Sequence, residues 1–286
     1  MAMKVTITRE RPEGNETSER REFRPGIPAS TGGAFAAPDR PPVPDRPFSD
    51  RPPAIHPLQA PPGEALVALT APESFEADRY RVLRHRLENS RDLGKPRVIA
   101  VTSACAGDGK TTTAINLALT LASSGDRKVL LADADMRLSN VATQLGMGDT
   151  RLPGLADLLL DPTLSLEGLV RRRPPARAAF LTAGRVLESP CDALRSARLE
   201  EIIEEARKAF DFVVIDTPPV GPVPDCQAIS RVVDGVLVVV AAHRTPRRAL
   251  EEALNALDPG KVTGLILNGG DVPNTEYYGR YYHRRR

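Results

Sequence analysis

The chain has 286 residues, room for one large domain or two small ones. Hydrophobic residues make up 41% and aromatics 4% with no Trp, which suits an α/β core of Val, Ile, Leu and Ala. A net charge of +2 gives no support to a general nucleic-acid-coating role, and three cysteines are too few and too scattered for a disulfide framework or a zinc site, so a reducing compartment is the default. The first residues show no apolar stretch of signal-peptide length. The longest apolar run, Val236 to Ala242, is far shorter than the roughly 20 residues that cross a bilayer. The expected location is therefore cytoplasmic, with any recruitment to the inner face of the plasma membrane made through a partner.

Residues 1–62 hold 13 of the 27 prolines, with repeated Arg-Pro units from Pro38 to Pro53. Proline at this density removes backbone donors and blocks helix interiors, and apolar residues are sparse. This segment reads as disordered with short extended stretches. Residues 63–96 form a helical region. Ser74 can cap a helix over 74–87 in which Phe75, Arg79, Val82, Leu83 and Leu87 share one side. Asp78, Arg81 and Arg84 follow at spacings of three and are expected to project together on one face, either as a solvated surface or as an interface.

Residues 97–270 alternate apolar runs with helical periodicity. Strands are expected at Val98–Thr102, Val129–Ala132, Ala179–Leu181, Phe212–Ile215, Val236–Val240 and Gly264–Leu267. Helices are expected near 110–123, 154–160, 192–209, 225–232 and 246–257. Strands that are apolar throughout and separated by helices imply a doubly wound, mostly parallel sheet flanked by helices, with ligands at the carboxyl ends of the strands.

The first strand is followed by Ala104, Cys105, Ala106, Gly107, Asp108, Gly109, Lys110 and Thr111, and Thr112 continues into a helix. Strand, glycine-bearing loop, Lys-Thr and helix in this order are the context of a P-loop. Gly107 and Gly109 let successive amides face a β-phosphate, and the helix amino terminus adds partial positive charge. Lys110 neutralises β/γ oxygens and the Thr111 hydroxyl is placed for Mg²⁺. Two further carboxylate sites follow. Asp133 and Asp135 lie two apart at a strand end, near Arg137, and Asp216 ends the buried strand Phe212–Ile215 in a Walker B arrangement. On these residues alone both hydrolase and kinase stay open.

Together these residues resemble the bacterial tyrosine kinase family of capsule and exopolysaccharide systems, relatives of the chromosome- and septum-partitioning ATPases. The Walker A, A′ and B stretches are Ala104–Thr111, Leu131–Arg137 and Val213–Pro218, and the resemblance spans about residues 72–286. It includes Asp225, Leu267-Asn268, and an oligomerisation motif that appears here as Asp78-x-x-Arg81-x-x-Arg84 with Asp in place of Glu. The partitioning ATPases carry a signature lysine where this chain has Cys105, which counts against the alternative of a partitioning-type switch without kinase activity. Cys105 itself reads as a loop-filling residue or, less simply, a redox-sensitive thiol.

Four of the five tyrosines, Tyr277, Tyr278, Tyr281 and Tyr282, lie in the final segment 271–286 beside Arg280 and Arg284 to Arg286. Aromatics without aliphatics cannot build a core. The resemblance implies that they are phosphoacceptors, modified in trans within a ring-shaped homo-oligomer; a cationic aromatic tail for RNA or acidic membrane is the competing reading. The resemblance further implies ATP and Mg²⁺ as cofactors, with Lys110, Asp133 and Asp135 catalytic. Thr111, Asp133 and Asp216 would hold the metal, Asn268 would touch adenine or serve as a turn residue, and Asp133 would accept the tyrosine proton. Implied partners are a transmembrane polysaccharide co-polymerase that activates the kinase and a tyrosine phosphatase, with no nucleic acid.

Overall fold

The computed structural model describes residues 61–89, 98–125, 127–148 and 152–270, together with strands at Lys4–Thr6 and Ala54–Ile55. In chain order the elements are β1 (Lys4–Thr6), β2 (Ala54–Ile55), α1 (Val67–Thr70), α2 (Phe75–Glu88), β3 (Val98–Ser103), α3 (Lys110–Ala122) and β4 (Val129–Asp133). Then come α4 (Val141–Gln144), α5 (Leu155–Leu160), α6 (Leu166–Leu169), β5 (Arg171–Arg172), β6 (Ala179–Leu181), α7 (Pro190–Leu194) and α8 (Ala197–Ala209). The last are β7 (Phe212–Asp216), α9 (Asp225–Ser230), β8 (Gly235–Ala241), α10 (Arg247–Asn255) and β9 (Val262–Asn268).

One sheet runs in the order β1-β9-β8-β3-β7-β4-β6-β5-β2. The six strands from β9 to β6 are mutually parallel, while β1 and β5 run antiparallel to their neighbours β9 and β6. Every residue of β3, β4 and β7 is buried, as the unbroken apolar runs require of a sheet covered on both faces. Side chains alternate between two cores. Val98 and Ala100 face the layer of α5, α8 and α9, and Ile99 and Val101 face that of α2, α3 and α4. All the expected strands of the 97–270 region are present, within one or two residues at each end. The expected doubly wound, mostly parallel fold is the observed one. β1 and β2 lie in the Pro-rich segment expected to be disordered with extended stretches; the tail 271–286 lies outside the described residues.

Two local expectations are corrected. The helix expected over 192–209 is broken into α7 and α8, because the Ser196 hydroxyl and amide both bond to Ala193 O and Ser196 itself is extended, with ψ 152°. The buried face of α2 is Ala77, Tyr80, Leu83 and Leu87, not one shared by Phe75 and Val82; Val82 is 41% exposed. Tyr80 sets that rotation. Its hydroxyl bonds to Thr113 and Asn116 of α3, and burial pushes its pKa up to about 12. Ser74 caps α2 as expected, accepting from Ala77 N at 3.2 Å.

Candidate active site at the phosphate loop

Because the central strands are parallel, their carboxyl ends share one edge of the sheet, and the sequence places its polar residues there. Asp133 of β4 is the direct cross-strand partner of Asp216 of β7, and Val101 of β3 pairs with Asp216 from the other side. The phosphate loop leaves β3 and turns into α3 through two glycines in the left-handed region, Gly107 at φ 82° and Gly109 at φ 94°. Gly109 is also sterically required: a Cβ there would lie 2.1 Å from Asn268 Nδ2.

The loop is held from both flanks by one buried carboxylate. Asp108 Oδ2 accepts from Cys105 N at 3.0 Å, and Asp108 Oδ1 accepts from Thr245 Oγ1 at 2.9 Å, in the connection after β8. Asn268, at the end of β9, donates from Nδ2 to Asp108 O at 2.9 Å. Its amide thus fastens the loop. The Cys105 amide points at Asp108 and burial raises the pKa of its thiol, with Asp108 adding to the effect, so Cys105 is a quiet loop residue.

Lys110 Nζ donates to Asp135 Oδ2 at 3.0 Å inside the site. Burial alone lowers the lysine pKa, but attraction to Asp216, Asp135 and Asp133 outweighs it and leaves the ammonium firmly charged. Asp133 is fully enclosed. Its Oδ1 accepts from Asp135 N, and its Oδ2 from Ser139 Oγ and Val141 N, which shapes the turn into α4. Burial pushes its pKa up to about 6 despite those bonds. Asp216 is the buried-charge problem of the site: it has no solvent exposure, and both carboxylate oxygens lack a hydrogen-bond partner of ordinary geometry. Desolvation lifts its pKa to about 8, only partly offset by Lys110 and the Thr111 hydroxyl. A buried carboxylate with open lone pairs beside a threonine hydroxyl is a donor set suited to a hard, oxygen-seeking cation. Among the described residues no group of three or more His, Cys, Asp or Glu is arranged to hold a metal ion.

The expected site residues Ala104 to Thr111, Asp133, Asp135 and Asp216 therefore come together at one place. Thr112 lies just outside, its hydroxyl bonded to Gln144 Oε1 at 3.0 Å. Arg137 reaches from the A′ turn to Asp225 through two bonds, Nε to Oδ2 at 2.9 Å and Nη2 to Oδ1 at 3.3 Å. The four tail tyrosines lie outside the described residues.

Residues 96–259 match the family model described as "AAA domain". The chain is 35% identical over 218 residues to the tyrosine-protein kinase YwqD of Bacillus subtilis (strain 168), covering 76% of this chain and 90% of that protein. The chain belongs to the bacterial tyrosine kinase family. A second relative, the succinoglycan biosynthesis transport protein ExoP of Rhizobium meliloti (strain 1021), is 34% identical over 230 residues, covering 76% of this chain but 29% of ExoP. The kinase domain of the Escherichia coli tyrosine kinase ETK superposes with a TM-score of 0.67 at 25% identity, covering 74% of this chain and 82% of that one.

In this kinase the three residues Asp78, Arg81 and Arg84, expected to form an oligomerisation motif, separate. Arg81 pairs with Asp78 and also donates to Pro72 O at 2.6 Å on the outer side of α2. Arg84 instead turns inward, donating to Thr120 O of α3 at 3.3 Å and lying 3.7 Å from Glu88. The expectation that all three project together is corrected: the helix presents Asp78 and Arg81, while Arg84 ties it to the core. Sequence reasoning also missed Ser139, Thr245 and Arg244 near the site, none of which belongs to a motif. In the described residues no helix is long and apolar enough to cross a membrane.

Proposed function

We propose that this kinase transfers the γ-phosphoryl group of ATP to tyrosines of its own carboxyl-terminal segment, Tyr277, Tyr278, Tyr281 and Tyr282, between subunits of a homo-oligomer, and so regulates capsule or exopolysaccharide polymerisation and export. One observation carries the phosphoryl-transfer reading: Lys110, Asp135, Asp133 and Asp216 converge beside a glycine-shaped amide loop, with Asp216 buried and unpartnered. In the reaction the loop amides and the amino terminus of α3 hold the phosphates, and Lys110 exchanges Asp135 for β/γ oxygens. Thr111 and Asp216 would hold Mg²⁺, which supplies charge neutralisation for the phosphates when bound. Asp133 takes the tyrosine proton; its pKa near 6 lets it act as a base at neutral pH. Asp135 and Arg137 set the turn around it. Because phosphoryl transfer passes through a loose transition state, positioning and charge do most of the catalysis.

The acceptor reading is supported by composition: four tyrosines stand among arginines in a segment with few aliphatics. Each phosphate adds roughly −1.5 to −2 charges and converts a cationic tail to an anionic one. Asp78 and Arg81 serve the subunit contact. The likeness to a succinoglycan biosynthesis transport protein supports a transmembrane co-polymerase as activator that recruits the kinase to the membrane; a tyrosine phosphatase would reset the tail. No nucleic acid takes part.

The test uses the full chain with Mg-ATP and anti-phosphotyrosine detection, beside Lys110→Met and a chain with all four tail tyrosines changed to Phe. Signal in the intact chain alone supports the reading. Steady ATP hydrolysis without phosphotyrosine would overturn it in favour of a partitioning-type ATPase.

A further inference from the structure

The connection between β8 and α10 brings an arginine to the bend of the phosphate loop. Arg244 Nη2 lies 3.3 Å from where a Cβ on Gly107 would sit. Its approach is fixed by the backbone beneath it. Ala241 O accepts from the amides of both Arg244 and Thr245, Thr245 Oγ1 accepts from Ala241 N at 2.8 Å, and the same hydroxyl donates to Asp108 within the loop. The residue before it, His243, is held at φ 61°, the one non-glycine in the left-handed region among the described residues. Strain of this kind persists only where surrounding bonds over-determine the chain, and it concentrates at functional sites.

The other cations of the site are already matched. Lys110 pairs with Asp135, and Arg137 with the buried Asp225. The Arg244 guanidinium has neither an ion pair nor a hydrogen bond among the described residues, and both it and the Gly107 bend are exposed. The site holds Asp108, Asp133, Asp135 and Asp216, so a polyanionic triphosphate entering it meets an excess of carboxylates. Cys105, in the same loop, supplies no charge. A planar guanidinium with several donors is the side chain best shaped to answer phosphate oxygens.

We propose that Arg244 is a further catalytic residue that contacts the β/γ-phosphate oxygens of bound ATP from the Gly107 bend and stabilises charge on the group in transfer. The inference rests on the ATP-dependent reading of this site, not on the identity of the acceptor.

The experiment measures binding of a fluorescent ATP analogue and the corresponding AMP analogue, with Mg²⁺, to the full chain, Arg244→Ala, Arg244→Lys and the control Arg247→Ala, whose side chain pairs with Glu251 on α10. Initial rates of ATP turnover are read on the same samples. Arg244→Ala is expected to weaken ATP binding about tenfold and to lower turnover, as loss of a charge-assisted contact does, with AMP binding unchanged and partial recovery in Arg244→Lys. Arg247→Ala should match the unaltered chain. ATP affinity and turnover within twofold of the unaltered chain in Arg244→Ala would overturn the proposal, and so would an equal loss for AMP, which would place the contact on the nucleoside. Because binding is read without any acceptor, a chain that binds and consumes ATP but makes no phosphotyrosine removes the tyrosine reading and leaves this comparison intact.

Discussion

Lys110 and Asp135 form an ion pair 3.0 Å long inside the pocket that has to receive a triphosphate. The lysine is therefore already oriented, but toward a carboxylate that competes with the phosphates for it. Asp135→Asn should free the ammonium and remove a negative charge from the phosphate path. ATP affinity is expected to rise by roughly three- to tenfold, on the scale of about 1 kcal/mol for a neighbouring charge at high effective dielectric. Turnover should fall, since the turn that carries Arg137 and Leu138 amides loses its charged acceptor. Nucleotide titration against steady-state rate separates the two effects; a loss of affinity would mean that Asp135 supports binding instead of opposing it.

Asp216 makes a pH prediction whose sign follows from burial. Its pKa, raised from the usual carboxylate range to about 8, means the folded chain holds a proton that the unfolded chain has released. Stability from this group is intact below about pH 4, where both states are protonated, and is lost as pH rises toward 8. Asp216→Asn should thus stabilise the nucleotide-free protein at pH 8 by about 1–3 kcal/mol, the cost of an unsatisfied buried polar group, read as a higher melting temperature. The difference should vanish near pH 4. Phosphoryl transfer should be lost in the same variant. Mg-ATP binding to the unaltered chain should release protons at neutral pH, seen as a buffer-dependent heat in calorimetry.

Gly109→Ala tests whether the loop geometry itself binds nucleotide. The residue sits at φ 94°, and a Cβ would lie 2.1 Å from the Asn268 amide that fastens the loop. Strain and clash together should abolish detectable ATP binding while the sheet remains folded, as circular dichroism can check. Asn268→Ala should weaken binding less, because it removes one fastening bond and leaves the thread of the loop intact.

On α2 the two arginines should behave differently. Arg84→Ala removes a contact to Thr120 O and leaves Glu88 with fewer partners, so it should lower the stability of the monomer by about 1 kcal/mol. Arg81→Ala, on the outer side, should change stability by less than about 0.5 kcal/mol and act on subunit association instead. Thermal melts and sedimentation on the same pair of variants read the two effects apart.

What could be read from the sequence is what short-range patterns encode. Apolar runs bounded by helical periodicity place β3, β4, β7, β8 and β9, and the parallel sheet then brings Lys110, Asp133, Asp135 and Asp216 to one edge. What the sequence does not show are contacts made far along the chain. Asn268 reaches back 160 positions to the loop, Thr245 137 positions to Asp108, and Arg137 88 positions forward to Asp225. No local pattern marks Arg244, because its position depends on that Thr245 bond. The rotation of α2 likewise depends on where Tyr80 meets Thr113 and Asn116, and a helical wheel alone chooses the wrong stripe.

The central claim, transfer between subunits onto the tail, can be tested by complementation. A Lys110→Met chain carries an intact tail but a disabled phosphate site; a chain with Tyr277, Tyr278, Tyr281 and Tyr282 changed to Phe has the reverse. Each alone with Mg-ATP should give no tail phosphotyrosine. Mixed, the Lys110→Met chain, distinguished by a size tag, should become phosphorylated at those four positions. Continued ATP hydrolysis in the mixture with no phosphate on the Lys110→Met chain would contradict the account.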